Sequence, residues 1–459
     1  MRRYHARWMC PIASPPLRDA TLVEHDGRII YVGPRAGAPT DGEEVDLGDA
    51  LLLPGLVNAH CHLELTAMRG FLDGLGFREW ILRLTAARRA VMTPDMLLDA
   101  ARLGVDEGLQ AGITTFADTG DTGAGFDAML ERNVRGICYR EVFGPSPDQC
   151  QPAIAELVSR VAEMRERETA LIRVGVSPHA PYSVSDALFR ATAALAREHD
   201  LPLAVHIAES ALESELVVNG AGAFADGLRK RGILVEPRAR SPIALLERLD
   251  VLNVRPLLIH CVRVDHVDVR TIARHDCAVA HCPASNAKLG AGIAPLTALR
   301  AAGVRVGLGT DSVASNDRMD LLDEARLAAL FACAREERTD ALSATHALEL
   351  ATLGGARALG LDHEIGTLEV GKAADLTAFS LSPDRAPMHD PAAAAVFALA
   401  GSRASLVVVA GSIKVLGGSL VSSDLALMAR VQRSADALQQ WLSTADANVA
   451  TGPSPDPTH

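Results

Sequence analysis

Eight short apolar, β-rich runs punctuate the middle of the chain, near residues 54–59, 113–117, 135–141, 172–177, 202–207, 256–261, 277–282 and 305–310. Between most of them lie Ala/Leu/Arg/Glu-rich stretches with helical spacing, such as 95–109, 154–167 and 186–198. Continuous apolar runs suit strands covered on both faces, and strands alternating with helices read as βαβ units of a parallel sheet. Eight such units predict a parallel (β/α)8 barrel, with a doubly wound open sheet as the rival.

The two ends of the chain read differently. Residues 20–25 and 28–32 flank Asp26-Gly27, a two-residue hairpin signal, and a similar strand texture returns at 374–379 and 405–415. These ends predict a small β-sandwich assembled from residues 1–53 and 366–422, enclosing a barrel over 54–365. Residues 425–443 have amphipathic helical spacing, and the last stretch, 451–459, has the composition of a disordered tail. Residues 423–459 are therefore expected to be a C-terminal helix and tail. Between the fifth and sixth runs, a segment with Gly220-Ala221-Gly222 and the basic patch Arg229-Lys230-Arg231 is expected to form a helix and a loop over the barrel mouth.

A net charge of −12 argues against nucleic acid as a partner, although a local cluster of arginines can still hold an anion. The eight cysteines form no C-x-x-C pair and read as reduced, buried thiols. No run has signal-peptide character or approaches the roughly 20 apolar residues of a membrane span. A cytoplasmic protein acting on a small molecule, without membrane or nucleic-acid partners, is the expectation.

Most of the β runs end in a residue that binds metals or moves protons: His60-Cys61-His62, His179, His206, His260 and Asp311. In a barrel the carboxyl ends of the strands form one rim, so these residues are expected to converge. Alternation along a strand points His60 and His62 the same way and Cys61 the other way. His60, His62, His206 and Asp311 would give four protein ligands to a divalent ion and leave a site for water. Glu209, three residues after His206, is placed to move that water's proton without being a ligand.

Each of these residues has a bland alternative when taken singly. Asp311 would cap the next helix, Glu209 would pair within its loop, and His179 and His260 would be satisfied at the core edge. Five strand ends in register carry the metal reading. His281, Asn286, Cys61 and Cys261 read as structural. Residues 120–125 are glycine-rich but lack a phosphate-binding pattern, and there is no G-x-S-x-G nucleophile elbow.

Pro54-Gly55-Leu56-Val57-Asn58-Ala59-His60-Cys61-His62, His206-Ile207-Ala208-Glu209, His260-Cys261, Gly309-Thr310-Asp311-Ser312 and the glycine- and lysine-bearing segment 366–375 together resemble the amidohydrolase superfamily. The likeness is to its branch of aromatic-ring deaminases and chlorohydrolases. That resemblance implies a distorted barrel with a β-sandwich from both termini. It also implies one divalent metal, usually zinc with Fe2+ as the alternative, on His60, His62, His206 and Asp311. It gives Glu209 the proton shuttle, His260 the polarisation of the attacking water or the tetrahedral intermediate, and Asp311 the water's proton. Binuclear members carry a carbamylated lysine at the end of strand four. The run 172–179 contains no lysine, which favours one metal.

Leu63-Glu64-Leu65, Phe77-Arg78-Glu79-Trp80, the segment 177–183 and the segment 222–246 resemble the nucleoside deaminases of this branch. The likeness is foremost to those acting on 6-aminodeoxyfutalosine on the route to menaquinone. Deaminases of adenosine, methylthioadenosine and S-adenosylhomocysteine come next. By position, Glu79 would hold ribose hydroxyls, Trp80 would lie beside it, and His179 would contact the purine. Arg140 would hold a distal carboxylate or form a structural salt bridge. A guanine deaminase or s-triazine chlorohydrolase is the rival on the same site, and a barrel without catalysis the rival from another class. Members of the family are often homodimers.

Overall fold

A computed structural model describes residues 1–381, 385 and 387–450 of the chain. Its eight central strands are β6 (Leu56–Cys61), β7 (Ile113–Gly120), β8 (Arg135–Val142), β9 (Ile172–Pro178), β10 (Ala204–Ile207), β11 (Leu257–His260), β12 (Ala278–His281) and β13 (Arg305–Leu308). β6–β9 and β10–β13 each form a parallel four-stranded sheet. Single parallel bridges, Val176 to Leu203 and Cys61 to Asp311, join the two arcs. All eight expected strands thus close into one ring with two thin seams, which excludes the open sheet and accounts for the distortion.

Residues on both faces of these strands are buried, as βα layering requires. Small and medium side chains, among them Ala59, Ala117, Ile137, Ala204 and Ala280, pack within one cluster with Tyr139. At the second seam the approach is closer than a side chain permits. A Cβ on Gly309 would sit 2.9 Å from the backbone nitrogen and oxygen of His60. Its absence lets the Asp311 N–H donate to the His60 carbonyl at 3.0 Å.

The ends of the chain build a single nine-stranded sheet from β1 (Arg2–Met9), β2 (Leu17–His25), β3 (Arg28–Pro34), β4 (Glu43–Asp46), β5 (Ala50–Pro54), β14 (Leu376–Ser380), β15 (Leu406–Val409), β16 (Ser412–Leu416) and β17 (Ser419–Leu420). β1 pairs with β2 along one edge. Its other edge is shared by β4 and β5, and β5 in turn pairs antiparallel with β14. The Asp26-Gly27 hairpin forms as expected, with both residues at positive φ (50° and 76°). The stretch 405–415 is a second hairpin rather than one strand, because Ala410 and Gly411 also sit at positive φ (46° and 79°).

Arg135, at the start of β8, donates two hydrogen bonds to Asp375 at 2.8 and 3.2 Å, and Asp375 also accepts the Ala410 N–H. This buried, bidentate pair ties the terminal sheet to the floor of the barrel. The C-terminal helix runs from Leu427 to Ala450 and buries Leu427, Val431, Ser434 and Leu438, an i, i+4, i+7, i+11 stripe. Arg430 on this helix pairs with Asp99. The expected tail, 451–459, lies outside the described residues. Between β10 and β11 the chain forms three helices, Ala211–Asn219, Gly222–Arg229 and Pro242–Arg248, where one was expected. Among the described residues, no helix is long and apolar enough to cross a membrane.

Candidate active site

The strand-end residues do converge. His60 Nε2 and His62 Nε2 lie 3.3 and 3.5 Å from Asp311 Oδ1, and His62 Nε2 lies 3.3 Å from His206 Nε2. Two ligands on a tetrahedral ion with arms of about 2.1 Å sit about 3.4 Å apart, so these spacings match the edges of a coordination polyhedron. His60 Nε2 is fully buried and has no hydrogen-bond partner of its own. Three imidazoles and a carboxylate therefore fit a divalent cation better than they fit one another.

Backbone geometry holds the set. The His206 N–H donates to the His179 carbonyl at 2.9 Å, so the ends of β9 and β10 are clamped together. His260 and Asp311 both adopt left-handed backbone conformations (φ 75° and 56°), which non-glycine residues rarely occupy. Such strain, concentrated where strands end in chemistry-bearing side chains, is a mark of a functional site.

The tautomers are set from behind. The His62 Nδ1–H donates to the Thr119 carbonyl at 2.9 Å, freeing Nε2. The His260 Nδ1–H donates to Asn286 Oδ1 at 2.9 Å, leaving its Nε2 3.6 Å from Glu209. Ser285 and Ser315 donate to Asp311 Oδ2, which turns Oδ1 toward the histidines. Glu213, completely buried, accepts the backbone N–H groups of Ala208 and Glu209 at 2.8 and 2.9 Å and so fixes the turn that carries Glu209.

Electrostatics divides the two acids. Burial pushes the Glu209 carboxyl well above its ordinary value. Burial acts the same way on Asp311, but the close approach of His60 and the other imidazoles outweighs it and holds Asp311 well below the carboxylate range. Two carboxyls driven apart in this way are suited to opposite proton-transfer roles. Burial also lowers the histidines, His60 to about 4 and His179 to about 3, so they are neutral and free to ligate. The Cys61 and Cys261 thiols are raised by burial and offer no thiolate.

A pH dependence follows. An imidazole buried neutral has a folded-state pKa below its unfolded value of about 6.5, so the unfolded chain binds protons first. Its contribution is fully present above pH 6.5 and is lost as the pH falls toward the folded value. For the metal-free protein, the thermal midpoint is expected to drop between about pH 6.5 and 4, with His60 alone contributing on the order of 3 kcal/mol. Calorimetry of chelator-treated protein across that range tests this, and a flat profile would contradict it.

The site opens into a cavity of about 940 Å³ lined by His62, His179, His206, Glu209, His260 and Asp311. Trp80 and His179 line it as expected, with the His179 ring fixed by Ser183 at 2.7 Å. Two expected contacts do not. Glu79 faces outward from the helix Phe77–Val91, half-exposed and paired with Arg83, while its neighbours Arg78 and Trp80 turn inward. Arg140 lies on the opposite face of β8 from Tyr139 and Glu141. Glu141 is the residue that reaches the cavity, because side chains alternate along a strand. Glu64, Arg88 and Asp121, an ion-paired trio on the cavity wall, were not anticipated either.

A model of the amidohydrolase family matches residues 51–414, which covers every strand of the barrel. The chain belongs to the amidohydrolase family. Among its relatives is a 5-methylthioadenosine/S-adenosylhomocysteine deaminase of Desulforudis audaxviator, 33% identical over 422 residues, spanning 91% of this chain and 94% of that one. An adenosine deaminase from Xanthomonas campestris with bound zinc superposes with a TM-score of 0.85 at 30% identity, covering 96% of this chain and 98% of the other. A zinc complex of atrazine chlorohydrolase from Arthrobacter aurescens gives 0.82 at 27% identity, over 95% and 100% of the two chains.

Proposed function

We propose that the protein is a zinc-dependent deaminase of an adenine-type nucleoside that carries a carboxylate at its far end, with 6-aminodeoxyfutalosine as the substrate. The observation that carries the deaminase reading is Glu209, a buried carboxyl pushed upward by its burial and facing the cavity beside the four-ligand cluster. His60, His62, His206 and Asp311 would hold a zinc ion, which when bound would supply a Lewis acid that brings the pKa of water from 15.7 toward about 7. Asp311, ionised, is placed to accept the proton of the attacking water. Glu209 is placed to protonate the ring nitrogen; as the ring carbonyl forms, the hydroxyl proton returns to Glu209 and the proton taken up by Asp311 passes to the departing amine. His260, neutral and with its Nδ1–H held by Asn286, presents the Nε2 lone pair, which can accept a hydrogen bond from the attacking water.

The mouth of the cavity supports the far-end carboxylate. Arg78, Arg89, Lys230 and Arg231 line it, and none of them is ion-paired with a described residue, on a chain of net charge −12. Below them lie Phe77, Trp80, Tyr182 and Phe224, with the Tyr182 and Phe224 rings stacked 4.4 Å apart. An aromatic slot with a cationic rim suits an aryl acid. The relatedness to 5-methylthioadenosine/S-adenosylhomocysteine deaminases favours S-adenosylhomocysteine as the second reading.

Ammonia release from 6-aminodeoxyfutalosine, adenosine, methylthioadenosine and S-adenosylhomocysteine, run side by side with guanine and atrazine, separates these readings. The highest kcat/KM is expected for 6-aminodeoxyfutalosine. Lys230→Ala/Arg231→Ala is expected to raise its KM about tenfold while leaving that of adenosine unchanged. Equal use of carboxylated and uncarboxylated nucleosides would sink the assignment.

A further inference from the structure

Of the three histidines in the cluster, His206 alone has a second ring nitrogen without a partner. His62 Nδ1 is satisfied by the Thr119 carbonyl, and His60 Nδ1 lies 3.4 Å from the Thr119 hydroxyl. His206 Nδ1 is buried and unpartnered. Facing it at 3.8 Å is Glu141 Oε1, which is also buried and unpartnered. The two side chains are 6% and 7% exposed, so neither atom has water as an alternative. Buried polar atoms left unpaired are destabilising and rare, and two of them facing each other have an obvious remedy.

The chemistry of the cluster supplies that remedy. Once His206 Nε2 ligates a cation, the ring's proton must reside on Nδ1, which becomes a donor aimed at Glu141. His179 shares the same pocket, within 4.8 Å of both, but its Nδ1 is already taken by Ser183.

We propose that Glu141 is a positioning residue of the metal centre, accepting the Nδ1–H of His206 and thereby fixing that ligand's tautomer and ring orientation. The proposal rests on the metal-binding reading of the His60, His62, His206 and Asp311 cluster. Glu141 touches neither substrate nor metal in this role. A carboxylate behind a ligating imidazole raises its basicity and holds it in place, and removing such a partner weakens metal binding about 10–100-fold.

The test uses the full chain loaded with zinc and a chromophoric chelator in competition, with no substrate present. Glu141→Ala is expected to weaken zinc binding about 10–100-fold. Glu141→Gln keeps an oxygen that accepts the Nδ1–H and is expected to recover most of that loss. Equal zinc affinity in wild type and Glu141→Ala would overturn the role. So would a Glu141→Gln variant as defective as Glu141→Ala, since packing alone would then explain the effect. Two zinc ions per chain, one of them lost in both variants, would overturn it by making Glu141 a direct ligand. Absence of zinc from the wild type would instead overturn the metal reading on which the proposal rests.

Discussion

Replacing Glu209 with glutamine is expected to lower kcat by about 10²–10⁴-fold while the metal stays bound. Glutamine has the same shape and can keep the contact with His260, and Glu213 still anchors the turn through the backbone of Ala208 and Glu209. What it lacks is a proton it can give up and take back. The loss should fall on kcat, because the side chain acts on atoms whose charge changes in the transition state. Metal analysis of the purified variant separates this from loss of the site. A variant that keeps its zinc and its turnover would remove Glu209 from the mechanism. A variant that loses zinc would make it a structural ligand.

Stripping the metal is expected to have a still more complete effect. The side chains left behind are neutral imidazoles and one carboxylate, none of which activates water across the roughly nine pKa units that separate free from ion-bound water. Ammonia release should fall below detection after chelation and return on adding zinc. His60→Ala should behave like the chelated protein at all attainable zinc concentrations, because His60 Nε2 has no other partner in the fold. Full activity in the chelated protein would show that the cluster is a hydrogen-bonded core and not a metal centre.

Much of this was legible in the chain. The eight strands announce themselves because parallel barrel strands are apolar on both faces, and Gly307 and Gly309 mark the seam where β13 meets β6. The ligands sit at strand ends, where position alone brings them together. The same two-sided burial explains why Arg140 was named for the cavity and Glu141 was missed. With every residue of β8 but Arg140 buried, nothing in the sequence distinguishes the interior from the helix layer. Glu79 failed for a related reason, since the first helix turns Arg78 and Trp80 inward by an amount that only its packing fixes. Asn286, Ser285 and Glu213 lie in first turns without periodicity and Thr119 near the end of a strand buried on both faces, so their roles behind the ligands emerge only from geometry. The one retrospective signal is the adjacent polar pair Ser285-Asn286 in the short helix that follows β12, at a rim position.

The orientation of charge is the part of the account that composition hides. A chain of net charge −12 carries a cationic mouth above an acidic interior, so the anionic tail and neutral ring of the proposed substrate would be drawn to different depths of one cavity.

The most direct measurement is turnover of 6-aminodeoxyfutalosine by the zinc-loaded protein in ¹⁸O-labelled water. Hydrolytic deamination predicts one labelled oxygen at the ring carbonyl of the product, with an equal amount of ammonia released. Ammonia without label, or a nucleoside recovered unchanged from zinc-loaded protein, would contradict it.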